Sequence, residues 1–443
     1  MVTITKENLA QFEKDFDSND KNRLALNAVT ANGINESAIN FDRVQKDNHS
    51  FSILIDAGEI TNQKQSGRCW MFASLNVMRL EVMKKLNLKN MELSQNYPLF
   101  WDKLEKSNYF LENIIETTDQ ETDSRLISFL LKDPLGDGGQ WDMFAGLVEK
   151  YGVVPKDCMK ETISSSATSA MDKYLTLKLR EFACTLRTAA KEGKTKKQLQ
   201  EAKDDMLKTI YNMLVISLGK PPKHFVYETR DKDNKFIRIE STPQQFFKDY
   251  VGWDLSDYIS LINAPTADKP YNNTYSVQYL GSVKEGRKVK YLNLPIQELK
   301  EVAIKQLKDG KAVWFGSDVG QFSEKNKGLM DMKALDVENL FSTTFPMTKA
   351  QRLDYGESLM THAMVLTGVN LDEKGKPNRW RVENSWGDDK GEKGFFIMTD
   401  DWFDEYVYQV VVNKKYLTDT QNKDFEKKPI MLKPWDPMGS LAR

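Results

Sequence analysis

Cys69 has the sequence context that best suits nucleophilic chemistry. It follows a glycine-containing turn at 65–68 and starts a stretch whose apolar residues recur at helical spacing, so we expect a core helix to begin near Cys69. The positive end of a helix dipole stabilises a thiolate, which is the reactive form of cysteine. A cysteine in a core helix is otherwise a small apolar residue, and we prefer that interpretation for Cys158 and Cys184.

A base for this thiol must come from one of three histidines. His49 lies in a polar stretch and His224 follows the prolines of 221–223, so both are expected at the surface. His362 instead opens an apolar strand pattern, and a rigid strand suits a side chain that must exchange protons. We therefore predict that His362 is the base, although a histidine that merely ends a strand would look the same.

Three further side chains have types that suit acyl transfer. Asn384 ends the next strand pattern, where its carbonyl can hold the imidazole in one tautomer and one orientation. Trp386 can shield that hydrogen bond from water. Gln63, six residues before Cys69, can donate its side-chain amide to an oxyanion that forms beside the backbone N–H of Cys69. These residue types describe a Cys–His–Asn centre with an oxyanion site.

These segments resemble the active-site segments of papain-like cysteine peptidases. Residues 63–73 (QKQSGRCWMFA) are similar to the segment that carries the family's glutamine and nucleophile. Residues 362–363 (HA) and 383–387 (ENSWG) are similar to its histidine and asparagine segments, in the family's order. Residues 138–139 (GG) fall where the family has its substrate-binding loop. The resemblance implies the same catalytic roles as the residue types do.

Departures from ordinary papain spacing indicate one branch of that family. About 290 residues separate Cys69 from His362, against ~130–150 in the papain pattern. The excess includes a block rich in Lys, Ala and Leu at 165–218, which predicts two long amphipathic helices. With this spacing, with Arg68 before the cysteine and with the ending at 433–443 (KPWDPMGSLAR), the chain resembles the bleomycin hydrolase / aminopeptidase C branch.

The branch implies an α+β, papain-like two-lobe fold. A helical lobe packs on an antiparallel β-barrel-like lobe, with a large helical insertion and a C-terminal arm. Strand patterns from about residue 250 onward favour the antiparallel sheet. The expected division is an N-terminal extension at 1–60, a helical lobe with the nucleophile at 61–160, the helical insertion at 161–250, a β-rich lobe with His and Asn at 251–420, and the arm at 421–443.

The same resemblance implies a cytoplasmic cysteine aminopeptidase that assembles as a homohexamer and needs no metal or other cofactor. The arm would lie in the active-site cleft, where its carboxylate meets the α-amino group of a peptide with a free N-terminus and longer chains are excluded. Loss of the final residue would leave a different terminal carboxylate, and both forms stay open. The expected substrate-binding residues are Gly138, Gly139, Trp386, Ala442 and Arg443.

Composition is consistent with this function and excludes others. The chain has 443 residues, 40% of them hydrophobic, which is enough to build a core and excludes global disorder. A formal charge of −1 gives no general reason to bind nucleic acid or an anionic membrane. No stretch suits a membrane span or a secretory signal, and three cysteines favour a reducing cytoplasm. Scattered histidines without a Cys-x-x-Cys pair predict no zinc site.

Three alternative functions stay open at this stage. An altered tail would suit an endopeptidase of the same branch. A transglutaminase-like Cys/His acyltransferase would use the same nucleophile, but Gln63 and the 384–387 motif favour the peptidase. Lysines clustered at 187–208 would suit nucleic-acid binding as an additional property, but acidic residues interleave with them, so a solvated helix face is the preferred interpretation.

Overall fold

The computed structural model describes residues 3–46 and 48–442. The chain begins with short helices, namely α1 (Lys6–Asp17), α2 (Asp20–Asn32), α3 (Ile34–Ala38) and α4 (Phe41–Val44), followed by the short strand β1 (Ile53–Leu54). Thr5 starts α1 through a reciprocal capping box with Asn8. Neither α1 nor α2, both fully described, contains a buried residue. The N-terminal helices therefore lie on the surface of this chain.

The helical lobe is built around one buried helix. Its helices are α5 (Cys69–Lys85), α6 (Asn96–Glu116), α7 (Arg125–Lys132) and α8 (Trp141–Tyr151). Apolar residues surround α5 on all sides, which is typical of a helix in the middle of a core. Gly152 ends α8 with φ of 73°, and a Cβ there would lie 2.3 Å from the backbone of Pro243. The helix predicted to begin near Cys69 is confirmed.

The segment predicted as a helical insertion contains helices followed by a β-hairpin. The elements are α9 (Ile163–Ser166), α10 (Ser169–Lys191), α11 (Lys196–Leu218), β2 (Phe225–Arg230), β3 (Phe236–Ser241) and α12 (Pro243–Phe246). The predicted pair of long helices is present as α10 and α11. The β2–β3 hairpin, however, lies before residue 250, where we expected strands to begin. Phe225 and Tyr227 are buried while Val226 and Glu228 are exposed, which is ordinary strand alternation.

The remaining elements form the β-rich lobe. Its strands are β4 (Tyr258–Ile262), β5 (Asn273–Val277), β6 (Tyr291–Asn293), β7 (Val313–Ser317), β8 (Ser323–Glu324), β9 (Leu329–Met330), β10 (His362–Leu371), β11 (Pro377–Glu383), β12 (Phe395–Thr399), β13 (Val407–Asn413) and β14 (Ile430–Leu432). Its helices are α13 (Ile296–Lys308), α14 (Val337–Phe341), α15 (Lys349–Tyr355), α16 (Asp400–Tyr406) and α17 (Asp419–Glu426).

The sheet is mostly antiparallel and has β10 near its centre. The strands follow the order β14-β5-β6-β4-β13-β7-β10-β11-β12-β9-β8, and β1 also pairs with β10. The central pairs β13–β7, β7–β10, β10–β11 and β11–β12 are antiparallel, as predicted. The pairs β4–β6, β5–β14 and β9–β12 are parallel.

The central strands bury one face against the helical lobe and the other face against helices of the β-rich lobe. One core surrounds α5, α6, α8, α10 and α11, and another lies between the central strands and the helices α13 and α16. The α+β two-lobe fold is therefore confirmed. Helix α5 packs against β10, so the junction of the lobes joins the start of a helix to the start of a strand. Across the described residues, none of the helices combines the length and the apolar composition needed to cross a bilayer.

Candidate active site

The packing of α5 against β10 brings Cys69 and His362 to one place. Cys69 is the first residue of α5, and His362 is the first residue of β10. The backbone N–H of Ala363 points to the sulfur of Cys69, with an N–Sγ distance of 3.5 Å. The side chains of both residues are buried. A thiol and an imidazole that lie far apart in sequence are thus neighbours at the junction of the lobes.

The side chain of Asn384 orients the imidazole. His362 Nε2 lies 3.0 Å from Asn384 Oδ1. The same oxygen accepts the backbone N–H of Ser385 at 2.8 Å, so it acts as an acceptor and Nε2 carries the proton. Nδ1 is then the nitrogen that can take a proton from the thiol. The Trp386 ring lies beside the imidazole, with 4.8 Å between ring centroids.

The side-chain amide of Gln63 is held in a fixed orientation. Its Nε2 donates to the carbonyl of Ser66 at 2.6 Å, and its Oε1 accepts from the hydroxyl of Ser385 at 2.7 Å. The backbone N–H of Gln63 also donates to the carbonyl of Ser385 at 2.8 Å. An amide nitrogen carries two protons, so one remains for a further acceptor. Sequence reasoning missed Ser385, although it stands inside the 383–387 motif.

The glycine loop pairs with the C-terminal residues. Gly139 N–H donates to the carbonyl of Ala442 at 3.1 Å, and Ala442 N–H donates to the carbonyl of Gly139 at 3.2 Å. The side chain of Gln140 donates to the carbonyl of Ser440 at 2.6 Å. Gly138 is held by Lys106, whose ammonium donates to its carbonyl at 2.7 Å. Of the predicted substrate-binding residues, Arg443 lies outside the described residues.

Further contacts hold the segment that leads to Ala442. Strand β14 pairs with β5. The guanidinium of Arg125 lies 3.7 Å from the ring centroid of Trp435, and Asp436 forms an ion pair with Lys269 at 3.0 Å. The hydroxyl of Tyr291 donates to the carbonyl of Met438 at 3.1 Å. Ala442 itself is buried in the same apolar cluster as Cys69.

Burial favours the neutral forms of the two reactive groups. It raises the pKa of Cys69 to about 12, and the negative charge of Asp137 adds to that rise. It lowers the pKa of His362 to about 4, although the hydrogen bond to Asn384 acts in the opposite direction. The position of Cys69 at the start of a helix predicted a thiolate stabilised by the helix dipole. The covered cleft instead favours a thiol beside a neutral imidazole, because a charge is costly where water is excluded.

A buried ion pair connects the nucleophile helix to the asparagine segment. Arg79 of α5 donates to Glu383, the residue before Asn384, with an N–O distance of 2.8 Å. The same guanidinium donates to the carbonyls of Ala57 and Glu59, at 2.8 and 2.7 Å. Sequence reasoning missed this pair. The signal was an arginine within an otherwise apolar helix, because a buried charge must have partners.

The sequence profile of the Peptidase C1-like family matches residues 3–439. The chain belongs to this family. It is 48% identical over 443 residues to aminopeptidase C of Lactobacillus delbrueckii subsp. lactis, covering 99% of this chain and 98% of that protein. It is 43% identical over 449 residues to bleomycin hydrolase of Homo sapiens, covering 99% of each. The crystal structure of PepW from Lactobacillus rhamnosis HN001 matches with a TM-score of 0.98 and 52% identity, covering 100% of both chains.

Membership in the Peptidase C1-like family makes the chain a cysteine-type peptidase with a papain-like fold. The resemblance to the bleomycin hydrolase / aminopeptidase C branch is confirmed, since named relatives of both kinds match almost the full chain. Among residues 3–46 and 48–442, no group of three or more His, Cys, Asp and Glu side chains is arranged to hold a metal ion.

Proposed function

We propose that this chain is an aminopeptidase that removes N-terminal residues from peptides by attack of Cys69. Relatives named aminopeptidase C that match 99% or more of the chain support the exopeptidase assignment. The observation that carries the proposal is the backbone pairing of Ala442 with Gly139, because Gly139 lies against Trp70, the residue after Cys69, and the end of the chain therefore occupies a backbone edge near the nucleophile. The ring of Trp386 lies beside the imidazole, with 4.8 Å between ring centroids.

In the proposed mechanism, His362 Nδ1 takes the proton of the Cys69 thiol as the sulfur attacks the first peptide carbonyl. The oxyanion accepts hydrogen bonds from the backbone N–H of Cys69 and from the remaining amide proton of Gln63. The protonated imidazole then donates its proton to the leaving amine, and the C–N bond breaks to give an acyl-enzyme. Water, deprotonated by His362, hydrolyses the thioester and restores the thiol. Asn384 keeps Nδ1 directed at the sulfur throughout.

The C-terminal residues limit where a peptide can begin. Glycine at position 139 permits another backbone segment to approach closely, and Ala442 uses both the N–H and the carbonyl of Gly139. Ala442 already occupies the Gly139 edge, so a substrate can extend only in the other direction. A carboxylate at the end of the chain would attract the α-ammonium group of the first residue. Whether that carboxylate belongs to Ala442 or to Arg443 is measured by mass spectrometry of the purified protein.

We extend the proposal to a cytoplasmic homohexamer. The exposed faces of the N-terminal helices carry large apolar side chains, which single chains rarely leave in water as a contiguous patch. These side chains are Leu9, Phe12, Phe16, Leu24, Leu26, Ile34 and Phe41. Light scattering is expected to give six times the 51.0 kDa chain mass. A monomer at micromolar concentration would contradict the assembly without affecting the proposed chemistry.

The activity is tested with matched peptides that have free or acetylated N-termini. The wild type is expected to cleave the free peptide one residue at a time and to leave the acetylated peptide intact. Cys69→Ala is expected to abolish cleavage, whereas Cys184→Ala, which changes an exposed thiol, keeps it. Deletion of residues 440–443 removes the pairing with Gly139, so cleavage of the acetylated peptide should appear.

Three results would contradict this proposal. Equal rates on free and acetylated peptides in the wild type would show an endopeptidase. Incorporation of a primary amine into the product in place of hydrolysis would show an acyltransferase. Full activity of Cys69→Ala would remove the thiol mechanism altogether.

A further inference from the structure

The carboxylate of Asp137 lies where three segments of the cleft meet. Its Oδ2 accepts the backbone N–H of Gly67 at 2.7 Å and also the hydroxyl of Thr168. Its Oδ1 accepts from the ammonium of Lys103 at 2.7 Å. The backbone carbonyl of Asp137 accepts the indole N–H of Trp70 at 2.7 Å. Asp137 therefore connects its own loop to the turn that contains Gly67 and to the start of α10 at Thr168.

Each of the three segments has a different relation to the site. Gly67 belongs to the turn that delivers Cys69 to the start of α5, and Trp70 follows Cys69 directly. Gly139, two residues after Asp137, forms the backbone edge that pairs with Ala442. Thr168 is the N-cap residue of α10 in the inserted segment. The position of the nucleophile turn relative to the glycine edge is thus set through one carboxylate.

Charged side chains surround this carboxylate on two helices. Lys103 and Asp102 face it from α6, and Asp172 faces it from α10. Lys103 is fully buried and lies 2.7 Å from Asp172 as well, while Lys106 of α6 pairs with Asp102 at 2.8 Å. Removing one member of such a cluster leaves an uncompensated buried charge, so the cluster resists displacement. Cys69 is close enough that the charge of Asp137 raises the pKa of its thiol.

We propose that Asp137 is a positioning residue for the reaction, holding the nucleophile turn and the glycine edge at the separation that places a bound peptide carbonyl in front of Cys69. The inference rests on the proposed role of Cys69. A displacement of about 1 Å between a bound substrate and a catalytic group can cost roughly 100-fold in rate. The effect of losing Asp137 should therefore appear mainly in kcat and less in KM.

The test compares Asp137→Asn with Asp172→Asn in a background that carries Cys158→Ala and Cys184→Ala. Both variants change a carboxyl group that pairs with Lys103, but only the first alters the contacts to Gly67 and Thr168. Activity is expressed per mole of folded protein isolated by size-exclusion chromatography, so unfolded protein does not count. We expect D137N to lower kcat at least tenfold, and D172N to stay within twofold of the background.

The pH profile of Cys69 alkylation gives a readout that a merely structural role would not move. Loss of the Asp137 charge favours the thiolate, so the profile of D137N should shift to lower pH, while that of D172N should not shift. Asp137→Glu keeps the charge but moves the carboxylate, so it should lower kcat without shifting the profile. If D137N yields no folded protein, D137E alone decides the proposal through kcat.

The proposal is overturned if D137N or D137E keeps kcat within twofold of the background, or if D137N and D172N lose the same amount. It is also overturned if D137N is less active but its alkylation profile is unchanged. A failure of the proposed function would appear differently, since Cys69→Ala would then keep its activity. The alkylation profile can be distinguished from that failure because it is measured without any peptide substrate.

Discussion

Substitution of Gly139 by alanine tests whether the glycine loop must lie flat on the nucleophile helix. A Cβ at this position would stand 2.5 Å from the Cδ2, Cε2 and Cζ2 atoms of Trp70. Carbon atoms pack at about 3.5–4.0 Å, so the ring or the loop must move by about 1 Å. Trp70 is fully buried, donates to Asp137 and packs edge-on against Phe144. The loop therefore has to move, and with it the edge that pairs with Ala442.

The expected loss follows from the cost of that overlap. Forcing an extra methyl group into a well-packed site costs about 1–3 kcal/mol. If the whole cost falls on binding of the substrate beside the displaced edge, kcat/KM falls roughly 5- to 150-fold, since about 1.4 kcal/mol corresponds to tenfold. The assay is steady-state hydrolysis of a fluorogenic aminoacyl amide by Gly139→Ala, with active sites titrated through Cys69.

Gly146→Ala is the matched control. Gly146 lies in α8, and a Cβ there would be 3.7 Å from Arg287, an ordinary contact. Alanine in place of a helical glycine stabilises by up to about 1 kcal/mol, so the urea midpoint should rise while kcat/KM stays within twofold. The reasoning is refuted if Gly139→Ala keeps a kcat/KM value equal to that of Gly146→Ala.

Three further predictions concern the imidazole and its supports. Burial lowers the pKa of His362 from 6.5 to about 4. Between pH 6.5 and pH 4 the unfolded chain therefore binds a proton that the folded chain does not bind. The free energy of unfolding consequently decreases as the pH falls through this range. His362→Gln removes this dependence, and urea titrations at pH 7 and pH 5 should show a smaller loss than in the wild type; equal losses would contradict it. Arg79→Met leaves Glu383 buried without its partner and should lower the free energy of unfolding by about 3–5 kcal/mol. Glu383→Gln should lower it less, because Arg79 keeps its carbonyl acceptors. A lower urea midpoint for Glu383→Gln than for Arg79→Met would refute this. Asn384→Ala removes the oxygen that accepts the proton of His362 Nε2. This hydrogen bond is worth about 1.5–3 kcal/mol when the imidazole is charged, so kcat should fall roughly 10- to 150-fold while KM changes little. An unchanged kcat in steady-state kinetics would count against the orienting role of Asn384.

Strong periodicity is what made parts of the fold predictable. The helix that begins at Cys69 and the pair of long helices within 165–218 both appear as predicted, because a buried helix face requires apolar residues at helical spacing. The hairpin at 225–241 was missed because its exposed face carries charged and polar residues, which lowers the apolar content of both strands. Alternation of buried and exposed positions, rather than hydrophobicity, was the available signal.

The site could be predicted only as far as residue types and resemblance reach. Cys69, His362, Asn384 and Gln63 were chosen from the sequence, and the structure brings these four residues into one connected region. The contact that fixes Gln63 comes from Ser385, more than three hundred residues later, and no local pattern specifies such a pairing. The roles of these residues in catalysis stay predictions until the variants are measured.

The protonation state of the site was beyond sequence reasoning because it depends on what covers the cleft. The pKa shifts of Cys69 and His362 have the same leading cause, namely burial. Burial raises the pKa of the thiol and lowers the pKa of the imidazole, so the two pKa values move further apart. Ala442 belongs to the apolar cluster that contains Cys69, so the residues proposed to select free N-termini are buried in the same core as the thiol. Under the proposed mechanism, proton transfer from sulfur to imidazole therefore belongs to the attack on a bound peptide, not to the resting enzyme. Such an arrangement couples selectivity to reactivity, because the thiolate, the reactive form of cysteine, then forms mainly when a substrate is bound.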